Sequence, residues 1–108
     1  MNPHIPEENK QETEEHILVC LSASPSNEKI IATAAKMAHT FHSRFTALYV
    51  QNGVRQEQSD QERLEKHIRF AEKMGAEIVM THGENVPVQI AEYAQLSSVT
   101  TIVIGQSN

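Results

Sequence analysis

Three serines, spaced two residues apart, directly follow a continuous apolar run. Ser22, Ser24 and Ser26 come after residues 17–21, with an alanine and a proline between them. Serine hydroxyls donate hydrogen bonds to phosphate oxygens and to base nitrogens. A helix that begins here adds free backbone N–H groups and the positive end of its dipole, which favour an anion. The serines therefore suit a nucleotide site, and helix capping by the same side chains is the alternative.

Two further groups of residues that could contact a ligand stand where other apolar runs end. Gly105, Gln106 and Ser107 follow the last run, and a glycine lets a backbone approach a phosphate closely. Tyr49 and Val50 end the second run. There the Tyr49 ring or hydroxyl would contact an adenine, and the Val50 backbone would hydrogen-bond the edge of that base. On its own a strand that ends in Gly-x-Ser is a weak signal.

The elements that position these groups follow from the apolar pattern. It predicts strands at 17–21, 45–50, 76–81 and 100–104, separated by helices at 25–43 and 61–74 and by a shorter helix that starts near Pro87. Strands that alternate with helices are typical of a parallel sheet with helices on both faces. We predict an α/β, three-layer, Rossmann-like domain at 16–108, in the order βαβαβαβ, ending before its last helix and strand. Residues 1–15, polar and with two prolines, are predicted to be a flexible leader.

The predicted sheet also predicts where the chemistry lies. Open parallel sheets bind ligands beyond the carboxyl ends of their strands, where the strand order reverses. If the first and fourth strands are neighbours, the serines and residues 105–107 share one crevice. Along the second strand Phe45, Ala47 and Tyr49 share a face, and Tyr49 is nearest the ligand end. Phe45 and Thr46 enter the strand from the far end, where packing is the alternative to ligand contact.

Composition excludes several classes of partner. The formal net charge is -5 and no block of Lys or Arg occurs, which argues against a nucleic-acid polymer. One cysteine, Cys20, cannot form an internal disulfide framework, which fits a cytoplasmic location. No run approaches the roughly 18 apolar residues of a membrane span. We therefore expect no direct membrane contact by this domain.

Metal and catalytic sites find no support in the residue pattern. His39 and His42 are spaced i, i+3, but no third ligand stands beside them, so no metal is predicted. Asp60 is the sole aspartate, and no Ser-His-Asp arrangement can be assembled around it. His67 lies between basic residues on a helix and is predicted to be solvated. The residue pattern therefore shows no machinery for hydrolase chemistry.

At this point the residues resemble a known family, the universal-stress-protein-like domain of KdpD-type sensor histidine kinases. The resemblance covers residues 16–108 and is carried by 16–38, by 45–50 and by the Ile-Val-Ile-Gly that ends at Gly105. Members that respond to cyclic di-AMP carry Ser-x-Ser, twenty residues, and then Phe-Thr-Ala-x-Tyr. Here Ser22-Ala23-Ser24 is followed by residues 25–44 and by Phe45-Thr46-Ala47-Leu48-Tyr49, so every specified position matches.

The resemblance implies a regulatory receptor domain with no catalytic residue, no metal and no cofactor. Its ligand would be cyclic di-AMP, and its partners would be the other domains of a membrane-bound kinase that controls potassium-uptake genes. The domain would lie on the cytoplasmic side of that membrane. With the residues argued above, the predicted ligand-binding set is Ser22, Ala23, Ser24, Ser26, Phe45, Thr46, Ala47, Tyr49, Val50, Gly105, Gln106 and Ser107.

Two alternatives remain open from the residues. The first is a stand-alone universal stress protein that binds ATP or AMP. Such proteins carry Gly-x-x-Gly, nine residues and Gly-Ser/Thr after the fourth strand, and the second glycine would fall at Asn108 here. The second is a protein-interaction module whose crevice holds no ligand.

Overall fold

Strands and helices alternate along residues 14–105, the part of the chain that the computed structural model describes. The elements are β1 (His16–Cys20), α1 (Asn27–Phe41), β2 (Arg44–Gln51), α2 (Gln58–Lys73), β3 (Glu77–His82), α3 (Val86–Leu96) and β4 (Thr101–Val103). Every strand pair is parallel, and the order in the sheet is β3-β2-β1-β4. The predicted α/β order is confirmed. Most of the predicted leader, together with Gln106 and Ser107, lies outside the described residues.

Helices cover both faces of the sheet, as the three-layer prediction requires. The larger apolar cluster joins the sheet to α1 and α2 and includes Ile17, Val19, Leu21, Ile31, Ala34, Ala35, Ala38, Ala47, Leu64 and Ala71. The smaller cluster lies under α3 and comprises Leu18, Leu48 and Val50, with Val86, Ile90 and Tyr93 packed against them. Successive residues of β1 therefore enter opposite clusters. Burial on both faces explains why this strand is a continuous apolar run and not an alternating one.

Helix α1 begins at Asn27, two residues later than predicted, and Pro25 belongs to the preceding loop. The loop is held by its own serines. Ser24 donates its N–H to the Ser22 hydroxyl at 3.2 Å, and Ser26 donates its N–H to the Ser24 hydroxyl at 3.3 Å. Local bonds between side chain and backbone compete with helix formation. They explain why the first helical turn starts only after the third serine.

Helix α2 differs from its prediction at one end and agrees at the other. It begins at Gln58, three residues early, because its polar first turn carries no apolar periodicity that a pattern could detect. Gly75 follows the helix with a φ of +101° and donates its N–H to the Glu72 carbonyl at 3.0 Å. A glycine in this left-handed conformation is typical of the position directly after a helix C-cap.

A buried histidine fastens the amino end of the sheet. His16 is 2% exposed, and its Nδ1 lies 2.9 Å from the Ser97 carbonyl at the end of α3. Since a carbonyl can only accept, Nδ1 carries the proton. In the neutral ring, Nε2 then accepts from the Thr46 hydroxyl of β2, 2.8 Å away. One side chain thus joins β1, β2 and α3.

We predict that Thr46→Val destabilises the domain by about 1–3 kcal/mol, because it leaves a buried imidazole nitrogen without its partner. Thr33→Val is the matched control, since the Thr33 hydroxyl is exposed on α1 and bonds the Lys29 carbonyl. The control should stay within about 0.5 kcal/mol of the parent chain. Urea unfolding measures both variants, and equal stabilities would contradict the role given to Thr46.

Candidate functional site

The serine loop, residues 22–26, joins β1 to α1 at the carboxyl edge of the sheet. Its hydroxyls are directed to the loop itself: the Ser24 and Ser26 oxygens lie 3.0 Å apart and both are exposed. Ser26 occupies the N-cap position of α1, yet its side chain makes no capping hydrogen bond. The capping alternative is therefore not what this side chain does. The loop presents a cluster of hydroxyl groups to solvent next to a helix N-terminus.

Asn27 fixes the base of the serine loop. This side chain is 2% exposed. Its Oδ1 accepts the Ser22 N–H at 3.2 Å, and its Nδ2 donates to the Cys20 carbonyl at 3.0 Å. Both backbone groups belong to the point where β1 stops pairing and the loop begins. The residue was not among the predicted site residues, although an Asn at a helix start is a recognisable signal.

A cavity of about 260 Å³ opens beside the serine loop, and we call it the serine cavity. Its opposite wall is formed by Ile104 and Gly105, which follow β4. Val86, at the start of α3, also lines the cavity. Because β1 lies between β2 and β4, this is where the strand order reverses. The predicted crevice between the first and fourth strands is thus present.

Gly105 is placed where a side chain would not fit without movement. A Cβ at this position would collide with Cδ1 of Ile30 on α1, and the Ser26 hydroxyl oxygen would lie 3.9 Å from it. The glycine therefore lets the chain after β4 pass close to the start of α1.

The serine cavity contains no reactive thiolate at neutral pH. Cys20 lies in its wall, and burial raises the pKa of this thiol to about 11. Since the thiolate is the nucleophilic form, the Cys20 side chain behaves here as a small apolar group.

Tyr49 lies in a separate cavity of about 430 Å³, which we call the Tyr49 cavity. This cavity is also lined by Leu64 and Ile68 of α2, by Met80 of β3, and by Arg55 in the loop between β2 and α2. β1 and β2 are neighbours with Cys20 level with Leu48, so the Tyr49 cavity and the serine loop lie on adjacent strands at one edge. The predicted site is therefore divided between two cavities.

The backbone of Val50 faces the gap that β1 leaves. The ladder between β1 and β2 runs to Cys20 and Leu48, and Leu21 adds a bond from its N–H to the Leu48 carbonyl at 2.8 Å. In a parallel ladder, residues two apart direct their backbone groups to the same neighbour. Val50 thus directs its N–H and C=O toward the side where β1 has turned into the serine loop.

Three predicted site residues lie away from both cavities. Phe45 and Thr46 are 8% and 1% exposed at the amino half of β2, and the Thr46 hydroxyl is occupied by His16. Ala47 is fully buried opposite Val19 in the middle of the sheet. Their positions fit packing, the alternative that the sequence left open for Phe45 and Thr46.

His67 is not solvated, and that prediction is wrong. The residue is 4% exposed, and its Nδ1 donates to the Ser22 carbonyl at 2.7 Å. One turn earlier on α2, the Arg63 guanidinium donates to the Ala23 carbonyl at 3.0 Å. The basic residues Lys66 and Arg69 beside it in the sequence suggested an exposed position, although His67 lies on the face of α2 that is directed inward. Helix α2 thus contacts the serine loop directly.

Within residues 14–105 no group of three or more His, Cys, Asp or Glu side chains is arranged to hold a metal ion. Nor does any described helix combine the length and apolar character that crossing a membrane requires.

Comparison with known proteins assigns the family. The model of the universal stress protein family matches residues 14–108, so the chain belongs to the universal stress protein family. The sensor protein KdpD of Clostridium acetobutylicum is 45% identical over 96 residues, which are 89% of this chain. The chain spans about 11% of the length of that relative.

Solved structures show the same fold. A universal stress protein family member from Burkholderia pseudomallei superposes with a TM-score of 0.69 at 19% identity, covering 85% of this chain and 81% of that one. The universal stress protein of Archaeoglobus fulgidus in complex with dAMP gives a TM-score of 0.63 at 24% identity, over 84% and 80% of the two chains. The parallel α/β architecture is therefore that of universal stress proteins.

We predict that Asn27→Ala destabilises the domain by about 2–4 kcal/mol, because two backbone groups at the end of β1 lose their partner. Asn52→Ala is the matched control. The Asn52 amide oxygen accepts one exposed N–H, that of Val54, at 3.0 Å, so its loss should cost less than about 1 kcal/mol. Chemical denaturation compares the two, and similar losses would show that Asn27 does not clamp the loop.

Proposed function

We propose that this chain is a regulatory domain that binds cyclic di-AMP at the carboxyl edge of its sheet. One observation carries the proposal: hydroxyl groups and an aromatic ring, in two cavities, stand at the ends of adjacent strands. The complete Ser-x-Ser and Phe-Thr-Ala-x-Tyr motif supports the same ligand. The 45% identity to part of KdpD supports a place in a sensor kinase.

The phosphates would be bound at the serine loop. Ser22 and Ser24 supply hydroxyl donors, and the start of α1 supplies the positive end of a helix dipole. A nucleotide phosphate in this position gains hydrogen bonds although the chain carries a formal net charge of -5. Arg63, whose guanidinium bonds the Ala23 carbonyl, adds a positive charge beside the loop.

The bases would use the groups at the ends of β1 and β2. A purine that stacks on Tyr49 gains about 1–3 kcal/mol, a value typical of bases on aromatic side chains. The backbone edge of Val50 offers one donor and one acceptor to a second purine edge near the serine loop. Arg55 in the Tyr49 cavity would lie near the ribose-phosphate ring.

Two cavities at one edge favour a ligand with two bases. Cyclic di-AMP carries two adenines on one ring of two phosphates, so one bound molecule would offer one base to each cavity. A mononucleotide carries one base and would leave one cavity unused. This difference separates the proposed ligand from ATP or AMP by experiment.

A mononucleotide is the second candidate, and one observation favours it. The Archaeoglobus fulgidus protein of the same fold is described in complex with dAMP. Against it, this chain has Asn108 where the glycine signature of ATP-binding members would have its second glycine. A protein-interaction module without a nucleotide is the third candidate.

The proposed setting is a KdpD-type kinase in which this domain is a cytoplasmic receptor. Its partners would then be the other domains of the kinase, and its output would be control of potassium-uptake genes. The domain itself would have no catalytic role. It would act on the kinase only through the binding and release of its ligand. The proposal needs no cofactor.

The test is calorimetric titration of the chain with cyclic di-AMP, AMP and ATP. We expect saturable heat with cyclic di-AMP. Tyr49→Leu should weaken cyclic di-AMP binding about tenfold or more through loss of stacking, with a smaller effect on AMP. Tyr49→Phe should retain most of the affinity because the ring remains.

The double variant Ser22→Ala, Ser24→Ala should abolish most binding of cyclic di-AMP and of AMP. Ser59→Ala is the matched control, because Ser59 is an exposed serine of α2. ATP or AMP binding without any heat from cyclic di-AMP would replace the proposal by the mononucleotide candidate. No heat from any of the three nucleotides would leave the interaction module.

A further inference from the structure

Two basic side chains of α2 grip the backbone of the serine loop. His67 donates from Nδ1 to the Ser22 carbonyl at 2.7 Å, and Arg63 donates to the Ala23 carbonyl at 3.0 Å. They are four residues apart, so they project from the same face of the helix. The two carbonyls are consecutive in the loop. We call these two contacts the α2 tether.

We propose that Arg63 and His67 are positioning residues of the nucleotide site: they hold the serine loop in its binding shape and connect it mechanically to α2. The ligand in this inference rests on the proposed function, while the tether itself rests on the contacts. Neither residue belongs to the Ser-x-Ser and Phe-Thr-Ala-x-Tyr motif.

Peptide geometry explains how a contact with a carbonyl affects ligand binding. In a trans peptide the N–H points opposite to the C=O of the same unit. When the carbonyls of Ser22 and Ala23 point to α2, the N–H groups of Ala23 and Ser24 point away from it. The tether therefore sets the direction of the Ala23 N–H, and also that of the Ser24 N–H, which bonds the Ser22 hydroxyl within the loop. A loop ordered before binding also spares the ligand the entropic cost of ordering it.

Burial makes the His67 contact more than a surface bond. At 4% exposure, an imidazole N–H without a partner would cost about 1–3 kcal/mol. Arg63 is less constrained: its side chain is 40% exposed, and it also lies 3.6 Å from Asp60. The histidine is thus the stronger half of the tether, and the arginine is the half that can be changed with less risk to folding.

The same helix forms a wall of the other cavity. The Tyr49 cavity is lined by Leu64, which directly follows Arg63, and by Ile68, which directly follows His67. A shift of the loop carbonyls therefore acts on the helix that also borders Tyr49. The two halves of the divided site are joined through α2 as well as through the sheet.

The experiment compares variants that remove the donor with variants that keep it. His67→Leu and Arg63→Met remove the hydrogen bonds but retain most of the volume. His67→Asn places an amide nitrogen where the imidazole has Nδ1, and Arg63→Lys keeps a charged donor. Lys66→Met is the control, because Lys66 is an exposed cation of the same helix.

Amide hydrogen exchange of residues 22–26 is measured first, without ligand. We expect about tenfold faster exchange in His67→Leu and Arg63→Met, near-parent exchange in His67→Asn, and no change in Lys66→Met. Cyclic di-AMP affinity, measured by calorimetry, should fall about tenfold in the first two variants and recover in His67→Asn. Should His67→Leu fail to fold, Arg63→Met carries the test.

Parent-like loop exchange in His67→Leu and Arg63→Met would overturn the tether, as would parent-like affinity in both. The exchange measurement needs no ligand, so it decides the tether even if the parent chain binds no cyclic di-AMP. Absence of binding by the parent chain would reject the proposed function and leave the exchange result standing. The two failures are therefore distinguishable.

Discussion

Parallel pairing of β1 between β2 and β4 is the constraint on which the site depends. It brings three strands to one edge with their carboxyl ends together and leaves a gap where the connections leave in opposite directions. The serine loop and Gly105 border that gap for this reason, and the Val50 backbone faces the adjacent space beyond the end of β1. An antiparallel or differently ordered sheet with the same residues would separate them.

The serine loop gains its shape from three directions. Its own hydroxyls bond its backbone, Asn27 clamps it to the end of β1, and α2 holds its carbonyls. Under the proposed function, this ordering before binding would lower the entropic cost of binding the ligand. The motif serines are thus part of the scaffold of the site as well as its surface. Substituting a motif serine therefore alters the shape of the loop together with its donors.

Sequence reasoning predicted the sheet and the crevice beside its first and fourth strands because the signals are local. Apolar periodicity and the position of Gly75 depend on neighbours in the chain. The α2 tether could not be found in this way, since His67 and Ser22 are 45 positions apart and basic neighbours suggested a solvated residue. Thr46 shows the converse: its place in a motif suggests a ligand, whereas its hydroxyl bonds a distant histidine. For both His67 and Thr46, a hydrogen-bond partner far away in the sequence determines the structural role of the side chain.

The strand on the far side of the serine cavity is the slightest of the sheet. β4 has three residues, and Ile102 within it is 41% exposed, whereas Leu18 and Leu48 of the central strands are almost completely buried. Within residues 14–105 the serine cavity is therefore bordered on one side by a strand packed on both faces and on the other by a short, partly exposed one. In the proposed complex, ordering of Ile104 and Gly105 would enter the free energy of binding, whatever follows them in the chain.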